Sequence, residues 1–309
     1  LMNRLLDFSG EIGLAKWPSF SGCWNLSKTW WDLKRFGMTP DKIWRRRGRP
    51  DLPKIFCVSV PKSGTHLLER VLCLHPRLYR KFMSTLFNSH LDRRQGLAGI
   101  TRELRPGQIL VSHLHYSEHR RLVLAEQGIK VLFMIRDPRD VAVSEAFYIR
   151  RKKDHYLHAL YAREPDLRGT LLLEIRGDAE AGLPAFGERL GYFLGWFQDP
   201  SYVVRFEDLI GEEGGGGLHT QWEVIRDLFN FLEMDLSPEE IGKIRRKLFS
   251  GASPTFRKGK IGEWRKHFDE EITDLFKKTA AEERMALFDL PARLLRWGRA
   301  RLPFRRIIA

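Results

Sequence analysis

The stretch Lys54-Ile55-Phe56-Cys57-Val58-Ser59-Val60-Pro61-Lys62-Ser63-Gly64-Thr65-His66-Leu67-Leu68 decides the fold. Its first seven residues are continuously apolar and β-branched, and they lie between Pro53 and Pro61. That pattern predicts a strand buried on both faces of a parallel sheet. The following residues form a tight turn and then take up a helical period. A strand, a Gly-containing turn and a helix in that order direct successive backbone N–H groups at one point, where an anion binds. Gly64 lets the backbone approach closely, Ser63 and Thr65 add hydroxyls, and Lys62 adds a full charge. The turn is P-loop-like without being a Walker A motif, because GxxxxGK[ST] is missing and Lys62 precedes the glycine.

Working outward, apolar runs recur at Gln108–Leu114, Ile129–Ile135 and Tyr202–Phe206. Helical periods at Thr65–Leu74, Glu118–Gln127 and Pro138–Arg150 separate them. Alternating strands and helices predict right-handed βαβ units, hence an α/β fold with an open parallel sheet and helices on both faces. No repeat occurs at periods of 20–50 residues, which excludes solenoids and propellers. Arg151–Glu180 is polar and rich in Arg and Lys, and reads as an excursion over the sheet edge that covers a substrate. Gly211–Gly217 reads as a flexible link before an amphipathic helix carrying Trp222, Ile225, Leu228, Phe229 and Leu232 on one side.

The chain has 309 residues, 43% of them hydrophobic and 30% charged, which excludes disordered and fibrous classes. Net charge is +14, but it is concentrated at the ends: residues 1–52 carry +5 and residues 291–309 carry +6, leaving +3 for the body. A general nucleic-acid-binding surface is therefore not expected. The three cysteines, Cys23, Cys57 and Cys73, are too few for a disulfide framework, and the apolar settings of Cys57 and Cys73 point to buried thiols in a reducing, cytoplasmic compartment. No apolar run approaches the ~18–20 residues that span a bilayer, so a soluble chain is expected.

Two further segments carry chemistry. Arg136-Asp137-Pro138-Arg139-Asp140-Val141-Ala142-Val143-Ser144 follows the third apolar run. Arg136 is thereby placed at the carboxyl edge of the sheet, where ligands of open α/β folds bind. Ser144, two turns along the helix, can face the same anion, while Arg136 alternatively pairs with Asp140 or Asp137. Phe256-Arg257-Lys258-Gly259-Lys260-Ile261-Gly262-Glu263-Trp264 forms a second anion-binding loop. Trp264 is expected to anchor that loop by packing. His113, at the end of the second run, suits proton transfer near neutral pH and faces the same cleft as Lys62; His115 shares its strand parity and is a rival.

Together the PKSGTHLL turn, the RDPRDVAVS element and RKGKIGEW resemble the sulfotransferases that use 3′-phosphoadenosine 5′-phosphosulfate (PAPS), over roughly residues 53–268. The resemblance implies transfer of a sulfuryl group to an acceptor hydroxyl or amine, with release of the 3′,5′-bisphosphate and no metal. It implies that Lys62, Ser63, Gly64, Thr65, His66 and Leu67 form the 5′-phosphosulfate loop. Arg136, Ser144, Arg257, Lys258 and Gly259 correspond to the 3′-phosphate set, with Lys62, His113 and Ser144 as the catalytic group. His113 resembles the histidine of the family's THLP segment, although Val111 replaces the usual lysine and His115 the proline. Phe206 of Phe206-Glu207-Asp208 resembles the family's adenine-stacking aromatic, and Phe249 is a second candidate. Relatives with a glutamate base carry it in a segment that here, Pro76–Leu91, contains no acid; Glu69 is the nearest carboxylate and reads as solvated. Arg265-Lys266-His267-Phe268-Asp269-Glu270-Glu271-Ile272-Thr273-Asp274 departs from the family's dimer segment.

Residues 53–290 are thus expected to form the catalytic domain. Residues 1–52, with six Trp and Phe between Trp17 and Phe36, are expected to pack on it. The basic tail 291–309 alternates Arg with Leu, Trp and Phe and suits an anionic membrane surface, so a peripheral membrane contact is open. The acceptor, whether small molecule, glycan or lipid, is not legible. Two other functional classes remain at this point: a P-loop-type kinase, and a non-catalytic anion-binding module.

Overall fold

The computed structural model describes residues 51–81, 85–91, 96–197, 201–249 and 258–280. The expected N-terminal segment before residue 51 and the basic tail lie outside the described residues, as do Phe256 and Arg257. Five strands, β1 (Lys54–Ser59), β2 (Tyr79–Arg80), β3 (Gln108–Ser112), β4 (Ile129–Ile135) and β5 (Ser201–Arg205), form one sheet in the order β2-β3-β1-β4-β5. Every pairing is parallel; Phe56, for example, lies between Leu110 and Val131.

The continuous apolar runs are explained by this sheet, because both faces of each strand are buried. Phe56, Val58, Leu110, Val131, Phe133, Ile135 and Val203 point to one side. There they meet helices α2 (Gly96–Arg102), α3 (Glu118–Glu126), α4 (Pro138–Arg151), α5 (Leu167–Arg176), α6 (Phe186–Gly191) and α10 (Glu270–Ala280). Ile55, Cys57, Ile109, Val111, Leu132, Met134, Tyr202 and Val204 alternate to the other side. These pack against α1 (Thr65–Cys73), α7 (Phe206–Leu209), α8 (Leu218–Phe231) and α9 (Pro238–Leu248). Each such buried side chain contributes about 1.5–3 kcal/mol. The α/β fold with an open parallel sheet and helices on both faces is as expected, and the side chains of Cys57 and Cys73 are buried.

Two segments differ from expectation. Arg151–Glu180, expected as an excursion over the sheet edge rather than core, holds a short helix, His158–Tyr161, and α5, with Leu157, Tyr161, Leu171, Leu173 and Ile175 buried. Its charges deceive because some of them are buried in pairs. Glu174 has no exposed surface and is held by Tyr161 Oη and Arg189 Nη2, and burial pushes its carboxyl above the usual carboxylate range. Gly211–Gly217 is not a loose link either. A Cβ on Gly214 would lie 2.8 Å from Gly259 O, and Ile261 N–H donates to Gly214 O at 3.0 Å. Gly214 and Gly216 are required because the backbone oxygens of Gly259 and Glu207 approach where a Cβ would stand.

Candidate active site

All strands run the same way, so the segments after β1, β3, β4 and β5 gather at one edge of the sheet. After β1 the chain turns through Lys62, whose φ of +66° is in the left-handed region, and through Gly64 at φ +109°. A Cβ on Gly64 would lie 2.7 Å from both Met134 Cε and Phe206 Cδ2, which only glycine avoids. The ladder of α1 begins where Leu67 and Leu68 N–H both donate to Gly64 O. The N–H groups of Thr65 and His66 precede it, at the positive end of the helix dipole.

Ser63 has a different task from the one expected. Its hydroxyl lies 2.6 Å from Val60 O and 3.0 Å from Met134 O, and its N–H closes the turn on Val60 O. It pins the loop to the sheet and offers no hydroxyl to a ligand. Thr65 Oγ1 is 2.8 Å from Ser59 Oγ, within reach of His113. Glu69 is likewise corrected: it is fully buried, paired with Arg80 Nη1 at 2.8 Å and 3.5 Å from His66 Nδ1, so it braces the first turn of α1.

His113 Nδ1 is 2.8 Å from Ser59 O. A carbonyl oxygen only accepts, so Nδ1 carries the proton and Nε2 keeps its lone pair. Burial pushes this imidazole down to about 4, opposed by the Ser59 hydrogen bond and reinforced by the neighbouring charges of His66 and Lys62. At neutral pH His113 is therefore an uncharged acceptor. His115 instead stacks on Tyr192, with ring centroids 4.5 Å apart.

After β4, Asp137 caps α4 by accepting from Arg139 N–H at 2.9 Å, with Pro138 at the first helical position. Arg136 is buried, with its guanidinium 4.2 Å from the centre of the Phe206 ring and Nη2 donating to Lys260 O at 2.7 Å. Its Nε is buried without a partner among the described residues. Phe206 is 5% exposed and supports Arg136 and Gly64, so that ring face is not open to an adenine. Phe249 is half-buried and packs against the core cluster on the α1 side of the sheet. Gly259 turns at φ +61°, and Lys258 pairs with Glu263 at 2.6 Å. Lys258 and Lys266 hold the Glu263 carboxyl down at about 2. Trp264 anchors this loop under the Arg139 guanidinium, 3.9 Å from the ring centre.

Lys62, Ser144 and Lys258, one residue from each of the three motifs, line a single cleft of about 620 Å³. Phe147, Tyr148 and Leu167 supply its apolar wall, and Arg150 and Arg151 add charge. Ser144, Tyr148 and Arg151 share a face of α4 through their i, i+4, i+7 spacing. Tyr148 receives the Lys62 ammonium at 3.8 Å from its ring centre. Arg136 and His113 are outside the cleft wall, although Lys62 is close enough to His113 to depress its basicity. The expected alternative partner of Arg136, Asp140, does pair with it at 3.3 Å, whereas Tyr148 carries no signal in the sequence beyond its i+4 spacing from Ser144.

The pattern of the sulfotransferase domain family matches residues 52–289. The chain belongs to the sulfotransferase family. Rat sulfotransferase 2A2 is 22% identical over 264 residues, covering 76% of this chain and 85% of the relative. The 3-alpha-hydroxysteroid sulfotransferase of Cavia porcellus is 22% identical over 269 residues, covering 78% and 85%. Among solved structures, mouse sulfotransferase SULT7A1 complexed with PAP is similar in fold, with a TM-score of 0.53, 20% identity, and coverage of 80% of this chain and 89% of that one. The resemblance read from the three motifs is borne out, and the chain is an enzyme of sulfuryl transfer. In this sulfotransferase the segment that departs from the dimer motif packs on its own chain: Arg168 pairs with Asp269 at 2.7 Å and with Glu271. No helix among the described residues is long and apolar enough to cross a membrane.

Proposed function

We propose that this sulfotransferase takes its sulfuryl group from PAPS and passes it, in line and without a metal, to a hydroxyl of a small organic acceptor. The observation that carries this reading is the meeting of Lys62, Ser144 and Lys258 in one cleft beside an uncharged His113. The residues fit the donor. Gly64 turns in the left-handed region, the helix presents the N–H groups of Thr65 and His66, and buried Arg136 keeps an Nε without a partner among the described residues. When bound, the donor supplies the sulfuryl group and leaves as 3′,5′-adenosine bisphosphate.

Lys62 supplies positive charge where the bridging oxygen becomes anionic, so its contribution is larger in the transition state than in the ground state. Gly64, Thr65 and His66 hold the 5′ end through backbone N–H groups, while the N–H of Leu67 is taken up by Gly64 O. Ser144, Lys258, Gly259 and Arg136 hold the 3′-phosphate, with Arg257 completing the set from outside the described residues. His113 takes the acceptor proton at Nε2, while Ser59 O fixes its tautomer. Phe87, 45% exposed and with its ring centroid 5.2 Å from that of His113, gives the acceptor an apolar platform at the base. The Cavia porcellus relative, named for a 3-alpha-hydroxysteroid, agrees with a small apolar alcohol.

The test is sulfur-35 transfer from labelled PAPS to a panel of phenols, aliphatic alcohols and sterols, with and without EDTA. Acceptor-dependent labelling that EDTA leaves unchanged and Lys62→Ala abolishes is expected. Phosphoryl transfer from ATP that requires Mg²⁺, with no sulfur label on any acceptor, would establish the kinase reading instead.

A further inference from the structure

Asp140 lies in the first turn of α4, and its side chain has no exposed surface. Its Oδ2 accepts from Gly262 N–H at 2.8 Å and from Arg136 Nη2 at 3.3 Å, and its Oδ1 accepts from Trp264 N–H at 2.9 Å. The same Arg136 Nη2 donates to Lys260 O, two residues before the first of these amides. One carboxylate thus ties the arginine after β4 to a loop more than 120 residues further along the chain. The local sequence is shaped to it: Gly262 adopts φ +75°, and the Trp264 ring is held under Arg139.

Burying a carboxylate costs several kcal/mol and is offset only by good charge-assisted bonds. An apolar residue would join α4 to the loop without that penalty. A carboxylate adds direction, since its two oxygens fix the orientation of two backbone amides and one guanidinium at once. Both elements it joins carry cations assigned above to one phosphate: Arg136 on one side, Lys258 on the other.

We propose that Asp140 is a positioning residue of the donor site, holding Arg136 and the 258–264 loop in the single geometry that receives the 3′-phosphate. This rests on the reading of Arg136 and Lys258 as ligands of that phosphate. Asp140 does not touch the donor. It removes the need to order two separate cationic elements at the moment of binding.

The test compares binding of 3′,5′-adenosine bisphosphate and 5′-AMP to the wild type and to Asp140→Asn, whose amide presents a donor where the loop or Arg136 also donates. A loss of at least tenfold for the bisphosphate and under twofold for 5′-AMP is expected, together with a raised KM for PAPS and a kcat within about threefold. Equal losses for both ligands, or none, would overturn the proposal while the wild-type preference for the bisphosphate stands. A wild type that does not prefer the bisphosphate would remove the 3′-phosphate reading itself, and the proposal with it. Should Asp140→Asn not fold, amide exchange in the wild type decides. Gly262 and Trp264 should exchange as slowly as core amides, and free-amide rates at either would contradict the clamp.

Discussion

Acidification probes His113 directly. Its imidazole titrates at about 4 in the folded protein, against an ordinary value of about 6.5 in the unfolded chain. Between those values the unfolded chain takes up a proton that the folded one refuses. The stability this histidine contributes is therefore complete above pH 6.5 and is lost as pH falls toward 4. At pH 5 the proton-uptake difference corresponds to about 1.5 pH units, or roughly 2 kcal/mol, and at pH 7.5 it is close to zero. Urea denaturation of the wild type and His113→Gln at pH 7.5 and 5.0 isolates this contribution, because groups distant from the ring titrate alike in both proteins. The wild type should lose about 2 kcal/mol more than the variant on going to pH 5. Equal losses would refute the burial argument. In the same preparation kcat/KM should hold its value to near pH 5, below the point where an ordinary imidazole is already charged.

Two substitutions address the loop after β1. Lys62→Ala should lower kcat by about 10²–10³-fold, the usual loss for one transition-state donor, with an unchanged melting temperature. Steady-state assay with a calorimetric scan checks this. Gly64→Ala forces a Cβ into the 2.7 Å contacts with Met134 and Phe206 at φ +109°, so it should cost about 2–4 kcal/mol of stability by denaturant titration. It should also weaken binding of the 3′,5′-bisphosphate.

The strands were legible because burial on both faces leaves an unbroken apolar run, as in Lys54–Ser59 and Ile129–Ile135. Strand β2 was not, since two edge residues, Tyr79 and Arg80, carry no periodicity. The polarity of Arg151–Glu180 hid its burial, because the partners of Glu174 lie in other elements, Arg189 in α6 among them. Glycines at 211–217 read as a flexible link from composition, whereas the packing of Gly214 against Gly259 and Ile261 is set by residues some 45 positions downstream. In the site, local motifs revealed the loop, Arg136 and Ser144. The clamp at Asp140 stayed hidden because its amide donors arrive from the far end of the domain.

Calorimetric titration with 3′,5′-adenosine bisphosphate, beside ADP and ATP·Mg²⁺, tests the central claim most directly and needs no acceptor. The arrangement of Lys62, Ser144, Arg136 and Lys258 predicts saturable one-to-one binding of the bisphosphate, at least tenfold tighter than ADP and indifferent to EDTA. Binding of ATP·Mg²⁺ with no response to the bisphosphate would contradict it.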